Sequence, residues 1–291
     1  MTDPAVAVTG VTKIFSTPLR RRSVVAVHEL NLKISAGQIY GLLGPNGSGK
    51  STTLKIILGL ISPTKGRVKI FGHDSRETVS REGVGFLPEN PYFYKYLTGR
   101  ETLCFYGKLC GMQGARLRSR VDELLELVGL TSSGDRRLSG YSKGMLQRIG
   151  LAQAIVQEPK LVVLDEPTAG VDPAGAREIR DLILSLKERG ITVLLSSHLL
   201  EQVQEICDRV GILANGALVR EGSLQDLLAI ENRTDLVFEN ASPKLLSEIE
   251  LLAAQSGARL IEQSRSRTSL ERLFLDVTQS RPEHQPKSPH E

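Results

Sequence analysis

Gly44-Pro45-Asn46-Gly47-Ser48-Gly49-Lys50-Ser51 fits the pattern G-x-x-x-x-G-K-[ST] of a phosphate-binding loop, and its reading decides the fold of this 291-residue chain. The apolar run Ile39 to Leu43 reads as a buried strand leading into the loop, and Thr52 to Leu60 reads as a helix leaving it. Glycines suit such a loop because consecutive backbone N–H groups must turn inward around phosphate oxygens, where side chains would obstruct the approach. Residues Gly44 to Thr52 are therefore expected to bind a nucleotide. Lys50 places a point charge on its β- and γ-phosphates, and Ser51 offers a hydroxyl to Mg2+. The helix that follows points its partly positive end at the same phosphates.

Outward from the loop, apolar runs bounded by turn residues alternate with helical periodicity from about residue 5 to residue 230, the pattern of an α/β domain with a largely parallel sheet. The expected strands are Leu30 to Ile34, Gln38 to Leu43, Arg67 to Phe71, Val84 to Leu87, Leu161 to Leu164, Thr192 to Ser196 and Arg209 to Leu213. A helical insert over residues 98 to 130 breaks the alternation, with Val121, Leu124, Leu125 and Val128 spaced to pack one face. Beyond Ile230 a small α/β appendage is expected. It comprises a strand near Leu236 to Phe238, a helix near Pro243 to Ala254, a strand near Arg259 to Ile261, and a last helix carrying Leu270, Leu273, Phe274 and Val277. The end of the chain, SRPEHQPKSPHE, has the composition of a disordered tail, in which His284 and His290 are solvated.

Composition sets the limits. The 37 Lys and Arg against 33 Asp and Glu leave a formal charge of +4 with mixed signs, too small to argue for nucleic acid. Cys104, Cys110 and Cys207 lack metal-ligand spacing and fall in apolar periodic segments, so buried reduced thiols are expected, as in the cytosol. No apolar run approaches the roughly 18 residues of a membrane span, and MTDPAVAVTG lacks the regions of a signal peptide. The chain is expected to be soluble by itself.

The second half of the chemistry lies in Leu161-Val162-Val163-Leu164-Asp165-Glu166, an apolar strand ending in two acids. A carboxylate there, beside the loop, can hold the Mg2+ shell, a role assigned to Asp165. Glu166 then faces the γ-phosphate and can polarise the attacking water as general base.

With Pro167, Thr168 and Asp172 following in order, the chain resembles the ATP-binding cassette (ABC) ATPases over roughly residues 5 to 230. That resemblance implies a RecA-like parallel-sheet core, an antiparallel β subdomain and a helical signature subdomain over about residues 90 to 157. An appendage at 231 to 279 and a tail at 280 to 291 follow. The family's signature, usually Leu-Ser-Gly-Gly-Gln, has two candidates. Leu138-Ser139-Gly140 matches by letters but lies three residues too early. Tyr141-Ser142-Lys143-Gly144-Met145, followed by Leu146-Gln147-Arg148, has both spacing and sequel and is taken as the signature, with Lys143 at a glycine position. Ala169-Gly170-Val171-Asp172 resembles the D-loop that crosses the dimer interface. Ser196-Ser197-His198 resembles the switch that sets a histidine on the γ-phosphate. Phe15 stands near the place of the aromatic that stacks on adenine, followed by a loop lengthened by Arg20-Arg21-Arg22. Glu89 stands where the family usually has a glutamine that touches Mg2+ and the membrane partner.

In this family the loop of one subunit and the signature of another close on one ATP. The resemblance thus implies a homodimer, or a pair with a similar second subunit, bound to a separate multi-span permease on the cytoplasmic face of the inner or plasma membrane. It implies Mg2+-dependent ATP hydrolysis driving transport, with export read from the signature, the Pro88-Glu89-Asn90 turn and the short appendage. The stretch Pro91-Tyr92-Phe93-Tyr94-Lys95-Tyr96, beside the insert where the family docks its permease, is either a docking patch or insert core. The competing reading is a soluble ABC ATPase acting on nucleic acid, the ribosome or cofactor assembly. The single cassette, the mild charge and the absence of cysteine cluster spacing stand against it.

Overall fold

Two long strands, β1 (Val6–Thr17) and β2 (Arg22–Ile34), begin the chain as an antiparallel pair in the computed structural model, which describes residues 4–17, 22–228, 238, 241–256 and 260. β3 (Ile39–Leu43) runs into the phosphate loop and α1 (Lys50–Ile57) leaves it. β4 (Lys65–Ile70) and β5 (His73–Asp74) come next, then β6 (Val84–Leu87). Three helices follow: α2 (Gly99–Leu109), α3 (Gly114–Leu127) and α4 (Lys143–Ala154). The chain then alternates through β7 (Leu161–Asp165), α5 (Pro173–Glu188), β8 (Thr192–Ser197), α6 (Leu200–Ile206), β9 (Arg209–Ala214), β10 (Ala217–Ser223) and α7 (Leu224–Leu228).

These strands form two sheets. One has the order β2-β1-β4-β5 with antiparallel pairing; the other has the order β10-β9-β3-β8-β7-β6, parallel except at β10. Every residue of β3, β7 and β8 is buried, which is why IYGLL, LVVLD and TVLLSS read as near-continuous apolar runs rather than alternating ones. Because β3, β8, β7 and β6 are neighbours and parallel, their carboxyl ends share one edge. Leu43 lies opposite Ser197 and Asp165 opposite Ser196. That edge carries the loop, the two acids, the histidine turn and Glu89 together, the location where ligands bind in open α/β sheets.

The helical part shares its core with one face of the parallel sheet. Thr98 caps α2 in a reciprocal capping box with Glu101, and α3 buries Leu117, Val121, Leu124 and Leu125 against Leu103 of α2 and Ile149 of α4. Ser142 caps α4, its hydroxyl accepting from the Met145 N–H at 3.3 Å.

β1, the first half of β2, β5 and β10 were not among the expected strands. The pairing of β1 with β2 shifts register around Gly10 (φ 56°), and Glu29 of β2 sits at φ 44°, so bulges break the two-residue alternation that marks a strand in sequence. β10 is an edge strand with no buried residue.

The described residues up to Leu228 form one compact unit, and those beyond belong to a second. In the second, α8 (Pro243–Gln255) starts at a Ser242 cap, matching the expected helix near Pro243 to Ala254. Apart from Phe238 and Leu260, the strands expected near 236–238 and 259–261 lie outside the described residues, as do the last helix, the tail and the Arg20-Arg21 stretch.

Candidate functional site

The loop after β3 is shaped by glycine geometry. Gly49 caps α1 at φ 103°, where a Cβ would run into the Ala26 carbonyl of β2, so only glycine lets the helix start there. The Gly216 N–H donates to the Ser48 carbonyl at 3.0 Å, tying the loop to the β9–β10 turn. The first turn of α1 carries no acid, leaving its amide end free for an anion. Beside the loop lies a cavity of about 370 Å³ lined by Val24, Val25, Ala26, residues 45–52, Glu89, Glu166 and His198.

Lys50 is only 6% exposed. Its Nζ donates to the Gly44 carbonyl at 2.6 Å and lies 3.4 Å from Glu166 Oε1. The other oxygen of Glu166, Oε2, is 2.8 Å from His198 Nδ1, so one buried carboxylate bridges the lysine of the loop and the histidine after β8. Glu166 itself sits at φ 49°, a left-handed backbone that a glutamate adopts at a cost of about 1–3 kcal/mol. Its N–H is held by Ser196 Oγ at 3.0 Å. Ser196 Oγ also donates to Asp165 Oδ1 at 2.6 Å, and Ser51 Oγ reaches the same oxygen at 3.2 Å. Ser196, given above only as the end of a strand and the start of the histidine turn, thus sets both acids. The signal for it was present in that turn, but its contact with Asp165 is made by strand pairing, which letters do not display.

Ser51 and Asp165 offer side-chain oxygens side by side, a donor chemistry that suits a hard cation, and Glu89 is among the residues lining the cavity. No group of three or more His, Cys, Asp or Glu with metal-holding geometry exists among the described residues.

None of the signature residues lines this cavity. Tyr141 is buried, its hydroxyl donating to the Ser133 carbonyl at 2.7 Å under the Arg136 guanidinium. Ser142, Lys143, Gly144 and Met145 form the start of α4, whereas Leu138–Gly140 forms a short 3-10 turn that starts no α-helix. Gly144 lies against Val171, and Asp172 caps α5 by accepting from the Gly175 N–H. Phe15, on β1, is half-exposed with the Lys13 ammonium 5.0 Å over its ring, and it is not part of the cavity wall. Val24 and Val25, which sequence reasoning passed over, are the exposed apolar residues that do line it.

The aromatic stretch divides. Tyr92 is 87% and Tyr96 67% exposed, and Tyr94 packs edge-on against Phe105; Phe93 is 6% exposed and belongs to the core. The cysteines divide too. Cys207 is buried, its thiol pushed up to about 12 by loss of water, but Cys110 at the end of α2 is exposed, contrary to the expected burial.

A phosphate loop at the end of a central parallel strand, with a histidine at the end of the next strand and paired acids at the end of the one after it, defines a nucleotide site of the P-loop ATPase class. Comparison with known proteins makes this specific. Residues 27–169 match the ABC transporter family model. An uncharacterized ABC transporter ATP-binding protein of Nostoc sp. is 38% identical over 95% of this chain and 90% of its own length. The bacitracin transport ATP-binding protein BcrA of Bacillus licheniformis is 41% identical over 79% of this chain and 73% of its own length. Among solved structures, a dimeric post-hydrolysis state of the ATP-binding cassette MJ0796 bound to ADP and Pi aligns with TM-score 0.69 at 28% identity. It covers 75% of this chain and 98% of that one. The chain belongs to the ABC transporter family, and it is an ATP-binding, ATP-hydrolysing protein of that family. Among the described residues no helix is long and apolar enough to cross a membrane.

Proposed function

We propose that the chain is one half of an ATP-driven motor in which two copies close on two ATP molecules and drive a separate membrane permease in export. The observation that carries this reading is the convergence of Lys50, Glu166 and His198 in one cavity whose walls include the loop but no residue of the signature. Half a site of this kind calls for the other half from a second subunit, and a two-fold pair supplies both reciprocally. The dimeric cassette to which this chain is similar supports the same arrangement.

In this scheme residues 44–52 wrap the phosphates, and Lys50 leaves Glu166 for the β- and γ-phosphates. Glu166, freed on that side and oriented by His198, takes the proton of the attacking water. Ser51 and Asp165, with Glu89, form the oxygen donor set for Mg2+, whose charge offsets that of the phosphates when bound. Ser142 and the amides opening α4 meet the γ-phosphate of the partner's ATP, and Asp172 holds the turn that crosses between subunits. Phe15 together with Val24 and Val25 offers apolar surface to the base. Tyr92, Tyr94 and Tyr96 form the patch that receives the permease on the cytoplasmic face. Relatives named for bacitracin transport and linearmycin resistance support export as the direction.

The test is Glu166→Gln, which keeps ATP binding while removing the base. Gel filtration of that variant is expected to show a dimer with ATP and a monomer without it. A monomer under both conditions contradicts the proposal.

A further inference from the structure

α4 lies along β6 and the loop after it through a row of close contacts. Gln157 Nε2, just past the helix, donates to the Val84 carbonyl at 3.0 Å, and Gly85 leaves no room for a Cβ beside the Ala154 carbonyl. A Cβ on Gly150 would stand 2.6 Å from Leu87 Cδ1 and 3.5 Å from Phe93 Cζ. Nearest the signature, Gln147 Nε2 donates to the Glu89 carbonyl at 3.0 Å. Glycine at 85 and 150 lets backbone meet backbone or core side chain, so helix and loop touch without an intervening layer.

Gln147 occupies the place in this row that touches both functional parts. It lies about one and a half helical turns beyond the Ser142 cap, and the residue whose carbonyl it grips, Glu89, is among those lining the cavity beside the phosphate loop. Its side chain is 2% exposed, and its Oε1 is buried with no hydrogen-bond partner among the described residues. A buried acceptor left unsatisfied costs about 1–3 kcal/mol, so an apolar side chain of similar size would pack here at less cost. What the amide supplies instead is a directional link from α4 to the backbone of residue 89.

We propose that Gln147 is a positioning residue that makes the signature helix follow Glu89 when nucleotide and cation engage that residue. The proposal rests on the roles given above to Glu89 and to the signature. It assigns the coupling between the two half-sites of one chain to a single buried hydrogen bond, whose acceptor is a carbonyl and therefore survives substitution of the Glu89 side chain.

The test uses the full chain carrying Glu166→Gln, with Gln147→Met and Gln147→Asn added separately. Methionine keeps the volume and removes both the donor and the orphaned oxygen; asparagine keeps the amide but falls one methylene short. Expected are an ADP affinity within about twofold of the parent, an unchanged or raised Tm for Gln147→Met, and about a tenfold rise in the ATP concentration giving half-maximal dimer by gel filtration. An unchanged dimer midpoint in both variants overturns the proposal. So does a lowered Tm with a matching loss of ADP binding, which marks a purely structural residue. A Glu166→Gln parent that stays monomeric with ATP removes the two-subunit reading and this proposal together, whereas a dimerising parent with insensitive Gln147 variants removes this proposal alone.

Discussion

The phosphate loop and the start of α4 are both helix N-termini, and the proposed function sets both against phosphate, yet they are built in opposite ways. The loop is set into the sheet: Lys50 is buried, Gly49 is locked against β2, and the Lys50–Glu166–His198 bridge spans the ends of three strands. The α4 end stands outside the loop's cavity, with Ser142 and Lys143 exposed and anchors behind it at Tyr141, Gln147, Arg148 and Gly150. One end carries its charges and acids with it. The other presents a capped helix start and no chemistry of its own, as expected of a group that acts on another subunit's nucleotide.

The sharpest way to break this contrast is Lys50→Ala. It removes the charge aimed at the transferring phosphate and strips Glu166 of a buried partner, so steady-state hydrolysis is expected to fall about 10³-fold. Hydrolysis within a few-fold of the parent would separate the loop from the reaction.

Next in size is Phe93→Ala, which empties the core beneath Gly150 and should lower stability by about 3–5 kcal/mol in denaturant unfolding. Tyr92→Ala, one residue away and exposed, should stay within about 0.5 kcal/mol while releasing the chain from permease-containing membranes. Equal stability losses would mean the two faces of this stretch are not distinct.

Smaller in total, but most specific to the α4 end, is Ser142→Asp. Aspartate caps a helix as well as serine does, so the fold should be unaffected, but its carboxylate replaces the hydroxyl expected to meet a γ-phosphate. Hydrolysis should drop about 100-fold with ADP binding to the chain's own loop unchanged. A change in ADP affinity would place the signature on its own subunit's nucleotide.

The two regions also differ in how far they can be read from letters. The loop, β3, β7 and β8 were legible because full burial turns strands into apolar runs and because glycines with positive φ leave a spacing. β1 was not, because its bulges at Gly10 and opposite Glu29 erase the alternation. The choice of Tyr141 to Met145 as signature rests on spacing, to which the structure adds that Ser142 starts an α-helix whereas Ser139 lies in a short 3-10 turn. Ser196 and Gln147 stayed hidden because their partners, Asp165 and Glu89, are distant in sequence and come within reach only when parallel strands and a crossing helix are in place. Phe93 and Tyr92 look alike as a pair of aromatics; only the close approach of Gly150 decides which one is core.

The most direct measurement mixes two inactive chains. Lys50→Ala lacks a working loop but keeps its signature, and Ser142→Asp lacks a working signature but keeps its loop. If each ATP is held between subunits, an equimolar mixture of the two contains dimers with one intact composite site. Its hydrolysis should then recover to about a quarter of the activity of the unsubstituted chain at the same total concentration. A mixture no more active than the sum of its separate components would contradict the shared site.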